Sequence, residues 1–293
     1  MHDNAKGSLL MVGAMIGFTV NDAIIKVIGG HIPLFQMVFL RGIPATLFLL
    51  LLAWRMGILR VQAPVRDWAL ASLRAVMEVG AAYFFISALL RMELANVTAV
   101  LQVLPLSVAL GAALVFREPL GWRRVLAILI GFCGVMLIVR PGPDGFTEQS
   151  IFALIAVALV TIRDLASRRM SKAMPSIMGA AISSAAVGLA AGLASLSEPW
   201  VAMTSSDFAY LGAAAIVVAL AYLCSVMAMR VGEITFIAPF RYSGLIAALI
   251  IGFLVFGDWP DGVTLLGAAI VVATGLFTLY RESAARRKPQ PSE

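Results

Sequence analysis

Long continuous apolar runs, separated by short polar connections, fill this chain. They fall near residues 8–28, 33–53, 68–90, 95–116, 121–139, 149–167, 178–197, 207–229, 234–256 and 261–280. Most reach the roughly 20 residues a helix needs to cross the hydrocarbon core of a bilayer. The pattern predicts an all-α integral membrane protein of ten transmembrane helices, forming a single membrane domain over residues 1–293. A β-barrel does not fit, because its strands read as short alternating segments. No stretch outside the runs is long enough for a soluble domain, so function is expected inside the bundle. Residues 1–7 are polar and brief, and Asn21 and Asp22 interrupt the first run. That is unlike a cleaved signal peptide, so the run is read as the first span.

Composition agrees with the pattern. Of 293 residues, 61% are hydrophobic and 13% charged, with a mean hydropathy of +0.96, which leaves too little polar surface to solvate a globular domain. Cys133 and Cys224 lie inside the fifth and eighth runs without disulfide or metal-site spacing. They read as small buried fillers.

Charge gives the orientation. With the N-terminus inside, 15 of the 22 lysines and arginines lie on the cytoplasmic side, and only Arg91 and Arg140 lie opposite. Retention of positive charge in cytoplasmic loops predicts N-in and C-in. It also accounts for the net charge of +6 with no nucleic-acid partner. Trp54, Trp68, Trp122, Trp200 and Trp259 all sit at predicted helix ends, where an amphipathic ring favours the interface.

The two halves resemble one another. Asp22, Lys26 and Pro33 recur as Asp164, Arg168 and Pro175, 142 residues later. Ala82, Tyr83 and Arg91 recur as Ala221, Tyr222 and Arg230 at a spacing of 139, and Phe116 and Glu118 as Phe256 and Asp258 at 140. The reading is a first five-helix repeat over 8–139, a second over 149–280, and a cytoplasmic tail over 281–293. Five spans is an odd number, so the second repeat enters the membrane from the opposite side, giving inverted repeats. Such folds place substrate near the midplane at the repeat interface and alternate access by rocking.

Residues 116–124 (FREPLGWRR) with Gly131 and Gly134, then 238–242 (APFRY) and 256–262 (FGDWPDG), resemble the ten-helix EamA-type carriers of the drug/metabolite transporter superfamily. The resemblance covers nearly the whole chain. Asn21 with Asp22, residues 39–42 (FLRG), Arg74 and the Pro-Phe-Arg-Tyr run look most like the branch of S-adenosylmethionine uptake carriers and related metabolite permeases. What the resemblance implies is a secondary carrier of the bacterial inner membrane, with S-adenosylmethionine, riboflavin or an amino acid as the type of substrate. Export of amino acids or other metabolites by the same fold is the alternative.

Each charge at a helix centre costs about 2.5 to 3.5 kcal/mol on insertion scales and calls for a partner or a wet cavity. The interior carries Asp22, Lys26, Arg41, Arg74, Glu78, Arg163, Asp164 and Arg241. Bases outnumber acids, which favours a substrate with a carboxylate, phosphate or other electron-rich group. At the helical rise, Arg41 lies roughly 12 Å from the outer end of its span, Arg74 and Arg241 roughly 10 Å from the inner ends of theirs, and Glu78 one turn beyond Arg74. Those four are read as substrate-contacting, with Tyr83, Gln102, Tyr222, Phe240 and Tyr242 adding hydrogen bonds and stacking. Arg74 and Glu78 also have the spacing of a structural i,i+4 pair.

Asp22 with Lys26, and Asp164 with Arg168, share that spacing near opposite ends of their spans. With Arg163 they are read as gate or coupling residues; self-contained salt bridges are the plainer alternative. Asp22, Glu78 and Asp164 are the candidate proton sites. Pro44, Pro105 and Pro239 lie inside spans and can kink them. Gly13 with Gly17, and Gly188 with Gly192, have the spacing of close helix packing.

Other classes fit less well. His2 and His31 lie in a tail and a loop, no acids cluster for a metal, and aspartyl-protease motifs are missing, so neither catalytic residues nor a metal or cofactor is expected. A channel also has charged walls, and saturable, concentrative uptake separates it from a carrier. No nucleotide-binding P-loop is present. A gradient therefore drives transport.

Overall fold

Among the described residues of this computed structural model, ten helices are long and apolar enough to cross a membrane, and they fall where the hydropathy pattern places them. The structure describes residues 2–117, 121–140, 147–231 and 234–286. Glu118, Arg287, Lys288 and the side chains of Arg230 and Arg286 lie outside the described residues.

The order is α1 (His2–Ile28), α2 (Leu34–Arg55), α3 (Val65–Arg91), α4 (Leu94–Leu101), α5 (Leu104–Phe116), α6 (Trp122–Val139), α7 (Glu148–Arg169), α8 (Ser176–Ala194), α9 (Ser205–Val231), α10 (Ile234–Ile237), α11 (Ser243–Ile251) and α12 (Gly262–Arg286). Among the described residues there is no strand. The first helix starts earlier than the apolar run, at His2, with Asp3 in its first turn. An acid there complements the positive end of the helix dipole, so the polar start is helical. The last helix continues to Arg286, taking in the first six residues of the segment read as tail.

Two spans are broken. The fourth is divided between α4 and α5 by a turn at Gln102 and Val103, and Pro105 occupies the first turn of α5, where its missing N–H costs nothing. The ninth passes from α10 through a 3₁₀ turn, Ala238–Tyr242, that contains Pro239. It then continues as α11 and a π-helical stretch, Gly252–Phe256, that ends on Gly257 at φ +71°. Pro44 behaves differently, since α2 runs through it unbroken.

The chain divides into two compact units. One comprises Met1–Thr19, Glu93–Thr147 and Leu220–Glu293. Within it α12 lies along α6, and α11 packs on α4. The α6–α12 approach depends on two glycines: a Cβ on Gly134 would stand 2.9 Å from the Gly267 carbonyl oxygen, and one on Gly267 would stand 2.6 Å from that of Gly134. The other unit comprises Val20–Met92 and Glu148–Ala219, with α3 against α7 and α8, and α2 along α8. Gly42 faces Gly188 there, with room for only 3.1 Å between an added Cβ and the Gly188 Cα. Ala53, Ala71, Met174, Ile177 and Met178 form a buried cluster at one end of this unit.

All five tryptophans are exposed near helix ends or in connections, consistent with interfacial rings. Cys133 corrects the expectation of a buried filler, because it is exposed. A free thiol behaves as a small hydrophobe, which suits the apolar exterior of a membrane-spanning helix.

Candidate functional site

The charged residues collect most densely in the second unit, where α3 meets α7. Glu78 lies near the middle of α3, and Arg163 of α7 reaches it, with Nη1 3.0 Å from Oε2 and 3.2 Å from Oε1. The same guanidinium turns back to Asp164, whose Oδ1 is 2.8 Å from Nε. Arg74, one turn before Glu78, stands 4.0 Å from Oε2 through Nη2 and donates from Nη1 to Ser167 Oγ at 2.7 Å. Ser167 in turn donates to the Arg163 carbonyl at 2.8 Å. Two arginines, two carboxylates and a hydroxyl thus form one continuous network, each ionised side chain only partly buried.

A second polar group lies at the junction of α1 and α2. Asn21 Nδ2 donates to Asp22 Oδ1 at 3.0 Å, and Arg41 Nη1 donates to Asn21 Oδ1 at 3.3 Å. Asn21 therefore bridges a carboxylate and a guanidinium that sequence spacing does not pair. Lys26, one turn further along α1, donates to the carbonyls of Leu89 and Met92 at the end of α3, where a cation suits the negative end of the helix dipole. Arg168 is exposed in the last turn of α7.

Tyr83 lies in an aromatic cluster rather than beside a charge. Its ring stacks on Phe35 at 5.8 Å and meets Phe84 edge-on at 5.2 Å. A mostly apolar recess of about 390 Å³ opens beside it, also lined by Phe35, Val38 and Val187.

The first unit holds the remaining expected residues. Gln102 occupies the turn that breaks the fourth span, and Thr19 Oγ1 donates to the Gly244 carbonyl at 3.3 Å, just past the broken part of the ninth. Within that 3₁₀ turn Arg241 is exposed and Tyr242 buried. The Tyr242 hydroxyl packs against Gly275 of α12, in the space a Cβ would fill, and has no hydrogen-bond partner among the described residues. Phe240 pairs with Phe236 at 6.2 Å, and Tyr222 meets Phe18 edge-on at 5.1 Å.

Sequence reasoning missed Ser167, Asn21 as a bridge, and a set of contacts around α2. His31 Nε2 lies 2.7 Å from Asp207 Oδ1, and the fully buried Gln36 exchanges two hydrogen bonds with the backbone of Val201, at 2.9 and 3.0 Å. The Ser167–Arg74, Asn21–Arg41, His31–Asp207 and Gln36–Val201 contacts each join separate segments of the chain, so none leaves a periodic signal.

Ten apolar helices carrying charged networks define a multi-pass membrane protein. Over residues 5–140 the chain matches the EamA-like transporter family. It is 23% identical to a protein named S-adenosylmethionine uptake transporter in Rickettsia conorii, covering 100% of both chains. It is 30% identical to a riboflavin transporter of Vibrio cholerae, over 65% of this chain and 64% of the other. A pseudopaline exporter of Pseudomonas aeruginosa is 25% identical, over 91% and 93%. A solved structure described only as the crystal structure of a protein shares the fold, with a TM-score of 0.63 at 19% identity over 94% of this chain and 99% of that one.

Proposed function

We propose that the chain is a secondary carrier of the bacterial inner membrane, and not an enzyme, moving a small polar or amphipathic organic metabolite by alternating access. The observation that carries this reading is Arg241. It sits exposed in the 3₁₀ turn of a membrane span, behind Pro239, and no described residue offers it a hydrogen bond or an ion pair. A charge so placed is too costly to face lipid, so it faces water or an anionic ligand group. Interrupted helices in corresponding positions of two repeats point to a transporter's binding site, and the fourth and ninth spans, each the fourth of its repeat, are the broken ones.

S-adenosylmethionine is the leading candidate, given the full-length likeness to uptake carriers of that name, with riboflavin or an amino acid next. Each pairs a charged or strongly polar group with a planar or apolar part. Arg41 and Arg241 are the proposed contacts for the electron-rich group, with Gln102, Tyr83, Tyr222, Phe240 and Tyr242 as further contacts. Asp22 with Lys26, and Asp164 with Arg163 and Arg168, are proposed as gates whose ion pairs exchange partners as access alternates. Arg74 and Glu78 belong to the substrate path in this reading. Pairing of corresponding spans, the second with the seventh and the fifth with the tenth, supports the inverted repeats over 8–139 and 149–280. The arginine-rich inner loops support N-in and C-in. Export is the second reading, favoured by the likeness to the pseudopaline exporter, since the driving gradient sets direction in alternating access.

The test is thermal stabilisation of purified protein against S-adenosylmethionine, riboflavin and a panel of amino acids. A ligand that raises the unfolding temperature of the parent and loses its effect in Arg241→Ala identifies the substrate. Stabilisation by none of the three classes removes the substrate assignment.

A further inference from the structure

Where α7 turns into α8, the chain closes over a recess of about 440 Å³ whose polar lining is Arg74, Ser167, Ser171, Lys172 and Ser176. No carboxylate lines it. The nearest acid on α3, Asp67, is buried and occupied, since it accepts from the Ser171 amide at 3.3 Å and from the Ser171 hydroxyl. Glu78, the carboxylate 4.0 Å from Arg74, is held more closely by Arg163, at 3.0 Å. The recess therefore presents a guanidinium at its inner end and an exposed ammonium, Lys172, at its mouth, with no negative charge of its own. Ser176 is the first residue of α8, so that helix's positive end opens on the same space. Met170 and Met174 supply adaptable apolar walls.

We infer that this recess binds a phosphate-type anion, with Arg74 and Lys172 providing charge and the Ser176 hydroxyl and first turn of α8 providing hydrogen bonds. Its volume exceeds that of a bare phosphate, leaving room beside the methionines for an organic group. An anionic phospholipid headgroup and a free organic phosphate present the same chemistry, and basic pockets between spans are known to take such headgroups. An occupant also draws Arg74 away from Glu78, leaving Glu78 to Arg163 alone. That links the connection between the sixth and seventh spans to the charged network on α3 and α7.

The full-length protein tests this in two arms. In detergent, unfolding temperature is measured in sodium phosphate against sodium chloride of equal ionic strength. In parallel, it is measured in nanodiscs of phosphatidylcholine alone and of phosphatidylcholine mixed with phosphatidylglycerol. Both arms are repeated with Lys172→Gln and Ser176→Ala, exposed positions at which the fold is expected to survive, and with Arg74→Lys. Loss of a charge-assisted hydrogen bond weakens phosphate binding by about tenfold. Stabilisation by phosphate that drops in Lys172→Gln and Ser176→Ala supports the site with a free phosphate as occupant. Stabilisation only by phosphatidylglycerol, with the same losses, supports it with a lipid headgroup. No stabilisation in either arm, or stabilisation equal in parent and variants, overturns it.

Discussion

Arg163 and Glu78 are 85 residues apart in sequence and 3.0 Å apart in space, an ion pair that ties the sixth span to the third. Neither side chain is fully buried, and both lie within membrane-spanning helices. Replacing Glu78 by Gln leaves Arg163 with Asp164 as its only ionic partner among the described residues. Breaking a buried pair from one side typically costs about 3 kcal/mol or more. Since this pair is partly exposed, a loss of about 1 to 3 kcal/mol is expected. Thermal unfolding of Glu78→Gln, Arg163→Gln and the exchanged double variant checks it: the exchange recovers stability if the pair matters as a pair, and does not if each residue acts alone.

The glycines at the α6–α12 crossing give a prediction about packing. Gly134→Val pushes a branched side chain into the Gly267 carbonyl and Ile270, and overpacking of this kind costs about 1 to 3 kcal/mol. Gly13→Ala is the control, because nothing stands within 4 Å of an added Cβ there. A helical Ala in place of Gly contributes about 0.5 to 1 kcal/mol. Opposite shifts in unfolding temperature are the expected outcome; equal shifts would mean that the crossing is not as tight as its backbone distances.

Much of this architecture was legible in the sequence, for physical reasons that also mark the limit. Lipid demands continuous apolar helices, so hydropathy located all ten spans, and Pro105 and Pro239 sit where the fourth and ninth break. The i,i+4 spacing of Arg74 and Glu78 was visible because both share one helix. The Arg163–Glu78 contact was not, since it depends on the rotation of α7 against α3, which no single-helix periodicity encodes. Asn21 as the link between Asp22 and Arg41 was hidden for the same reason. Tyr242 neighbours Arg241 in sequence, yet the two differ in burial on the 3₁₀ turn, and the packing of the Tyr242 hydroxyl against Gly275 is a contact that no periodicity encodes.

Gln36 tests the fastening of α2 to the connection before α9. Its amide satisfies both the N–H and the carbonyl of Val201. Gln36→Leu removes both hydrogen bonds, at about 0.5 to 1.5 kcal/mol for each. Faster amide hydrogen exchange at residues 199–204, with α6 and α12 unchanged, is the expected signature.

Asp261 carries a pH dependence. It precedes α12 and accepts a hydrogen bond from the Thr264 amide at 2.9 Å, which, with further contacts from Arg140 and the Thr264 hydroxyl, holds its carboxyl below the usual 3.8. A lowered value in the folded state means the contribution is fully present above the ordinary carboxylate range and disappears as pH falls through the lowered value. Unfolding temperature measured from neutral to acid pH is expected to fall less steeply at the acid end in Asp261→Ala than in the parent. Parallel curves would remove this role.

Saturable uptake into proteoliposomes tests the central claim most directly. With S-adenosylmethionine, riboflavin and amino acids each supplied in labelled form, the account predicts that one class accumulates with saturation, and that Arg41→Ala and Arg241→Ala each reduce that uptake at least tenfold or so while folding normally, the loss expected for a charge-assisted contact. Uptake that rises linearly with concentration, or that is unchanged in both variants, would contradict a carrier whose substrate is held by those two arginines.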